Sequence, residues 1–78
     1  MIKVRILTPE WSREFEADAI FLPGVMGEFE VLVNHAPIIS TLAAGSIKWR
    51  LDGNMDSMRI QGGVVRLKNN VMSVCAEV

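Results

Sequence analysis

Apolar residues recur at every second position in short runs, and turn residues separate the runs. Ile2, Val4 and Ile6 alternate with Lys3 and Arg5; Ile47, Trp49 and Leu51 alternate with Lys48 and Arg50; Val65 and Leu67 alternate with Arg66 and Lys68. A period of two puts one face of a strand in a core and the other in water. No segment sustains a 3.6-residue period, and no capping residue precedes an apolar run. The pattern predicts an all-β chain: a small β-sandwich, or flattened barrel, of about eight to ten short, mostly antiparallel strands with no helical domain.

The punctuation is specific. Thr8-Pro9-Glu10 closes the first strand, because Pro9 cannot donate to a ladder. Glu14 to Leu22 reads as the next strand, with Phe15, Ala17 and Ala19 on one face and Glu14, Glu16 and Asp18 on the other. It turns apolar on both faces at Ala19–Leu22, which predicts a central position. The stretch Leu22–Pro37 then holds two of the three prolines, two of the six glycines and the only histidine. Pro23-Gly24 predicts a turn and Gly27 a second bend. Phe29, Val31 and Val33 predict one apolar strand face, and Asn34-His35-Ala36-Pro37 a loop in which Pro37 holds Ala36 extended. Ile38 to Leu42 resumes a strand. Asp52-Gly53-Asn54 and Asn69-Asn70 predict hairpin turns, and Gly62-Gly63 a bulge or tight corner. Met58, Ile60, Met72, Val74 and Ala76 are expected in the core.

Seventy-eight residues make one domain, spanning 1–78. A chain this short buries only about 60% of its unfolded surface. Half its residues are hydrophobic, which compensates. Cys75 is alone, so no disulfide forms, consistent with a reducing compartment. Eight basic against nine acidic side chains leave no basic footprint for nucleic acid. Met1–Thr8 alternates and carries Lys3 and Arg5, unlike a secretory signal. The apolar runs fall far short of the ~20 residues that span a bilayer.

Catalytic chemistry finds little support. His35 has neither a metal-ligand neighbour nor a nucleophile to activate. Cys75 reads as a small buried or half-buried hydrophobe rather than a nucleophile. Glu28 and Glu30 share a strand face and read as solvated side chains. Gly24 and Gly27 precede neither Lys-Ser/Thr nor a helix, so they form no phosphate loop. No cofactor is expected. Trp49 belongs to an apolar strand face, whereas Trp11 lies in the polar loop Glu10-Trp11-Ser12-Arg13 and is a candidate interface anchor. Physical reasoning alone thus reaches a non-catalytic β interaction module.

The stretch Leu22-Pro23-Gly24, Gly27-Glu28-Phe29, Val31-Leu32 and Asn34-His35-Ala36-Pro37 resembles the signature of the epsilon-subunit family of F-type ATP synthases. The likeness runs the length of the chain in order, through Val4–Glu10, Glu16-Ala17-Asp18, Gly45–Trp49, Ile60–Val65 and Asn70–Glu77. It implies an amino-terminal β-sandwich that binds the gamma subunit with one surface and the membrane c ring with another, within the rotating central stalk. Glu28, His35, Ala36 and Pro37 fall where the family faces the c-ring loops. Thr8 and Glu10 fall near its gamma-facing first turn, with Trp11 adding apolar area.

The resemblance also implies a peripheral position on the complex, at the cytoplasmic face of a bacterial inner membrane in preference to a plastid thylakoid. The family's pattern is departed from at Glu30 (usually Gly), at Val33 (usually Pro) and in a shortened Trp11–Phe15 loop. Its carboxy-terminal helical pair has no counterpart in this sequence, so self-inhibition and ATP binding are not expected of it. The alternative is a free-standing β-sandwich adaptor that binds a peptide along a strand edge.

Overall fold

A computed structural model describes residues Met1–Val78. The period-two runs resolve into nine strands: β1 (Ile2–Leu7), β2 (Ser12–Ala17), β3 (Ala19–Gly24), β4 (Gly27–Leu32), β5 (Ile38–Leu42), β6 (Gly45–Leu51), β7 (Asn54–Ile60), β8 (Gly62–Lys68) and β9 (Val71–Glu77). They form one continuous sheet in the order β2-β1-β9-β8-β5-β3-β6-β7, with β4 on the other side of β3. The β1–β9 pair is parallel and every other pair is antiparallel. The all-β sandwich expected from the periodicity is therefore the fold observed.

The sheet curls into two layers. One is β2-β1-β9-β8-β5, the other β4-β3-β6-β7. They join where β5 meets β3 through a single register pair, Gly24 with Leu42. Two backbone bonds hold that corner: Ala43 N–H donates to Pro23 O at 2.7 Å and Val25 N–H to Thr41 O at 3.2 Å. Between the layers lies one cluster of 16 buried apolar side chains. Ile2, Val4 and Ile6 of β1 are at most 1% exposed, while Lys3 and Arg5 between them face water. No polar residue is buried.

The far side of the sandwich is closed by side chains. Phe15 on β2 stacks on Trp49 of β6 with ring centroids 4.4 Å apart. The Arg13 guanidinium lies 5.4 Å from the Trp49 ring centre and 3.7 Å from the Asp56 carboxylate on β7. An aromatic pair contributes about 0.5–1.5 kcal/mol beyond its buried area. An ion pair with both partners this exposed contributes about 0–1 kcal/mol. The stack is the stronger clasp.

The structure corrects several details. Glu14 to Leu22 is two strands, broken at Asp18 and divided between the layers. Asp18 makes the crossing: its N–H donates to Arg50 O at 2.8 Å, and its carboxylate accepts the Asp52 N–H at 3.1 Å. Pro23-Gly24 lies within β3, paired with Glu28 and Gly27, and the turn is Val25-Met26. Proline is tolerated there because its carbonyl, not the missing N–H, binds the corner. Val33 lies past the end of β4 and is 40% exposed. The corner expected at Gly62-Gly63 falls at Gln61, and Gly63 sits inside the β8–β9 ladder opposite Ala76. A Cβ on Gly63 would come 2.3 Å from the Cys75 carbonyl oxygen, so the ladder itself requires glycine. Cys75 is exposed, not buried.

Candidate interaction surfaces

Three loops carry the residues singled out in the sequence. The first is the β3–β4 hairpin. Gly24 has no room for a side chain: a Cβ would meet Gly27 O at 2.8 Å and Phe29 Cε1 at 2.9 Å. Gly27 closes the turn at φ 125°, a region L-residues avoid. The tip this produces is apolar, with Val25 57% and Met26 98% exposed, although the Val25 backbone is tied to Thr41. Sequence reasoning passed over this tip. Its signal was two apolar residues where turns ordinarily carry Asn, Asp or Gly.

Glu28 follows on the outer face of β4. Its carboxylate lies 3.9 Å from Lys48 Nζ, and both side chains are about half exposed (52% and 47%). A pair this long and wet holds the carboxylate loosely and leaves it free for a partner.

The second loop, Val33–Pro37, is fixed from outside. Asn34 adopts φ 67° and Asn70, in the β8–β9 turn, φ 60°. Asn34 N–H donates to Asn70 Oδ1 at 2.6 Å, and Asn70 Nδ2 donates to Asn34 Oδ1 at 2.9 Å. The Asn70 carbonyl in turn accepts the Lys3 N–H at 2.8 Å, which ties this clamp to the start of β1. His35 N–H donates to Leu32 O at 3.1 Å. The His35 ring meets the Ala36 carbonyl through Nδ1 at 2.7 Å. A carbonyl only accepts, so Nδ1 carries a proton, and in the neutral ring Nε2 is left as an acceptor. Asn34, His35, Ala36, Pro37, Asn69 and Asn70 together line a shallow concavity. His35, Ala36 and Pro37, consecutive in the chain, share this concavity, and Glu28 does not line it. Asn69 and Asn70 join them unannounced, since the sequence marks them only as a turn.

The third loop is the β1–β2 turn. Thr8 Oγ1 donates to Trp11 O at 3.0 Å and accepts the N–H groups of Trp11 at 3.0 Å and Glu10 at 3.3 Å. Thr8 therefore builds the turn and has little left to offer a partner. Glu10 and Trp11 remain outward, Trp11 at 41% exposure. The clamp and this turn stand at opposite ends of β1, whose six residues span roughly 20 Å. No hydrogen bond or ion pair links Glu28 to His35. No group of three or more His, Cys, Asp or Glu side chains converges to hold a metal ion. No helix is long and apolar enough to cross a membrane.

Nine strands curled into two layers, with their distinctive residues on shaped surface loops, define a small β-sandwich domain. All 78 residues match the family described as ATP synthase, Delta/Epsilon chain, beta-sandwich domain, and the chain belongs to that family. The resemblance read from the central stretch is thereby confirmed.

Similar chains include an ATP synthase epsilon chain of Desulfitobacterium hafniense, 33% identical over 75 residues, covering 95% of this chain and 57% of that one. The epsilon chain of Leptospira interrogans is 32% identical, covering 97% and 61%. A chloroplastic epsilon chain of Anthoceros angustus is 36% identical, covering 94% and 54%. The chain thus spans little more than half the length of these relatives. In solved structures, a chain of the Euglena gracilis mitochondrial ATP synthase superposes with a TM-score of 0.89 at 22% identity, covering 96% of this chain and 49% of that one. A chain of the Tetrahymena thermophila mitochondrial ATP synthase central stalk and c ring superposes with a TM-score of 0.83 at 15% identity, covering 99% and 63%. At those identities the likeness carries the fold.

Proposed function

We propose that this domain is a coupling module of the rotary central stalk, bound to the gamma subunit on one surface and to the c-ring loops on another. The observation that carries the reading is the Val33–Pro37 loop, a surface loop pinned by reciprocal asparagine hydrogen bonds 2.6 and 2.9 Å long. A loop that must transmit torque has to be stiff before its partner arrives, because ordering it on contact would cost binding free energy. His35 Nε2 presents an acceptor, Ala36 and Pro37 apolar area, and Glu28 a loosely held carboxylate. That set suits ring loops carrying Arg, Asn or Gln donors. At the other end of β1, Glu10 and Trp11 suit gamma, with Thr8 shaping the turn.

The role is mechanical, with no bond-making step of its own. The domain works as one rigid body of 78 residues, seated through the complex at the cytoplasmic face of a bacterial inner membrane. The test is the assembled enzyme carrying Glu28→Ala with His35→Ala. ATP-driven proton pumping is expected to fall while hydrolysis persists and the sandwich stays folded; undiminished pumping would contradict these roles.

A further inference from the structure

A sheet face turned to water ordinarily carries polar side chains. The outer face of β4, β3 and β6 instead has an aromatic ring at its centre. Phe15 and Phe29 pack against the core cluster, but Phe21 does not. Its neighbours in β3, Ile20 and Leu22, are buried, and Phe21 points the other way, half-buried. Across the strands it stands in one row with Glu30 of β4 and Lys48 of β6.

Charge on this face is divided by strand. The acidic side chains, Glu28 and Glu30, are on β4. The basic ones, Lys48 and Arg50 on β6 and Arg59 on β7, stand on the other side of β3. β3 itself carries no charge. One ion pair joins the two halves, Glu28 with Lys48 at 3.9 Å, and Glu30, Arg50 and Arg59 belong to none. Leu32 and Met55, 48% and 55% exposed, end the row that runs through Ala19 and Arg50.

A face divided in this way is complementary to itself. A two-fold axis along β3 lays the acidic half of one copy over the basic half of another and keeps each row in place. Glu30 of each copy then meets Lys48 of the other, and the two Phe21 rings meet at the axis. Contacts of this symmetry require such a self-complementary patch.

We propose that the outer face of β4, β3 and β6 pairs two copies of this chain about a two-fold axis at Phe21. The aromatic pair supplies a central anchor, and the opposed charges set the register and reject a shifted one. The pair is a form of the free chain. It covers Glu28, which the stalk function leaves open to the ring loops, so pairing and assembly exclude each other. The stalk function does not depend on it.

The experiment is sedimentation velocity of the chain at up to about 500 μM, where an interface of about 100 μM affinity is visible. A dimer is expected, loosened by salt. Glu28→Lys with Glu30→Lys makes the face basic throughout, and Lys48→Glu with Arg50→Glu makes it mainly acidic. Each variant, folded by circular dichroism, is expected to self-associate about tenfold or more weakly, and an equimolar mixture of the two to associate again. Phe21→Cys with Cys75→Ser, oxidised in air, is expected to give a disulfide-linked dimer, because only residues beside the axis meet their own copies. A monomer throughout overturns the proposal. So does a dimer that ignores the charge reversals and leaves the engineered thiol unlinked, since its interface lies elsewhere. If the chain stays monomeric and the charge reversals instead weaken binding of purified gamma subunit, the face belongs to gamma and self-pairing falls.

Discussion

The two ends of β4 are shaped by opposite means. At the Gly24–Gly27 end, two glycines make the turn possible: Gly24 is closed in by Gly27 O and the Phe29 ring, and Gly27 takes φ 125°. At the Val33–Pro37 end, the shape comes from Asn70, 36 residues away, through hydrogen bonds to Asn34. The first rests on two glycines within four residues of each other and is tied through Pro23 and Val25 to the corner where the layers meet. The second is a long-range attachment on an exposed surface. Damage to the first should spread into the core; damage to the second should stay in the loop.

The hairpin end should give the largest effect. Gly24→Val forces a Cβ and its two methyl groups against Gly27 O and the Phe29 ring, and overpacking of this kind costs about 3 kcal/mol. In a domain this small that lowers the thermal midpoint by more than about 10 °C, read by circular dichroism. An unchanged midpoint would mean the corner tolerates a side chain and the contrast is false.

Asn70→Gly comes next. Glycine keeps φ 60° without strain, so only the clamp is lost. Two hydrogen bonds contribute about 1–2 kcal/mol together. Hydrogen exchange at the Asn34 and His35 amides should accelerate while the amides of Val65 and Val74 keep their protection. Equal acceleration in the core would show that the clamp supports the whole sandwich.

Smaller still is Glu28→Gln, which breaks only the 3.9 Å contact with Lys48. It should change stability by less than about 0.5 kcal/mol, measured by urea denaturation, so any loss of coupling is a loss of contact. Met26→Ser at the fully exposed tip should leave stability unmoved. A clear destabilisation there would mean that the tip packs against something within the domain.

Much of the fold was legible because its signals are local. Period-two alternation located the strands, and Asp52-Gly53 and Asn69-Asn70 made turns with the positive φ their residue types predict. What escaped depends on distant partners. The break at Asp18 falls inside a run that turns apolar on both faces at Ala19–Leu22, a pattern that also fits one strand entering the core; the bonds to Arg50 and Asp52 reveal the crossing, and burial shifts from Ala17 to Ile20 and Leu22 beyond it. Pro23-Gly24 has turn chemistry, yet the turn moved one step on, because Pro23's carbonyl is needed by Ala43. Cys75 was misplaced by residue type although its parity against Met72 and Val74 already pointed outward. Of the candidate site, the motif residues were visible and the Asn34–Asn70 clamp was not, since no periodicity links positions so far apart.

The most direct test of the stalk function is co-elution of this chain with the gamma subunit of the same organism on gel filtration, with both at tens of micromolar, a range in which even interfaces of about 10 μM affinity are visible. A stoichiometric complex, weakened by Trp11→Ala, is the expected result. Separate elution of the two folded proteins would contradict it.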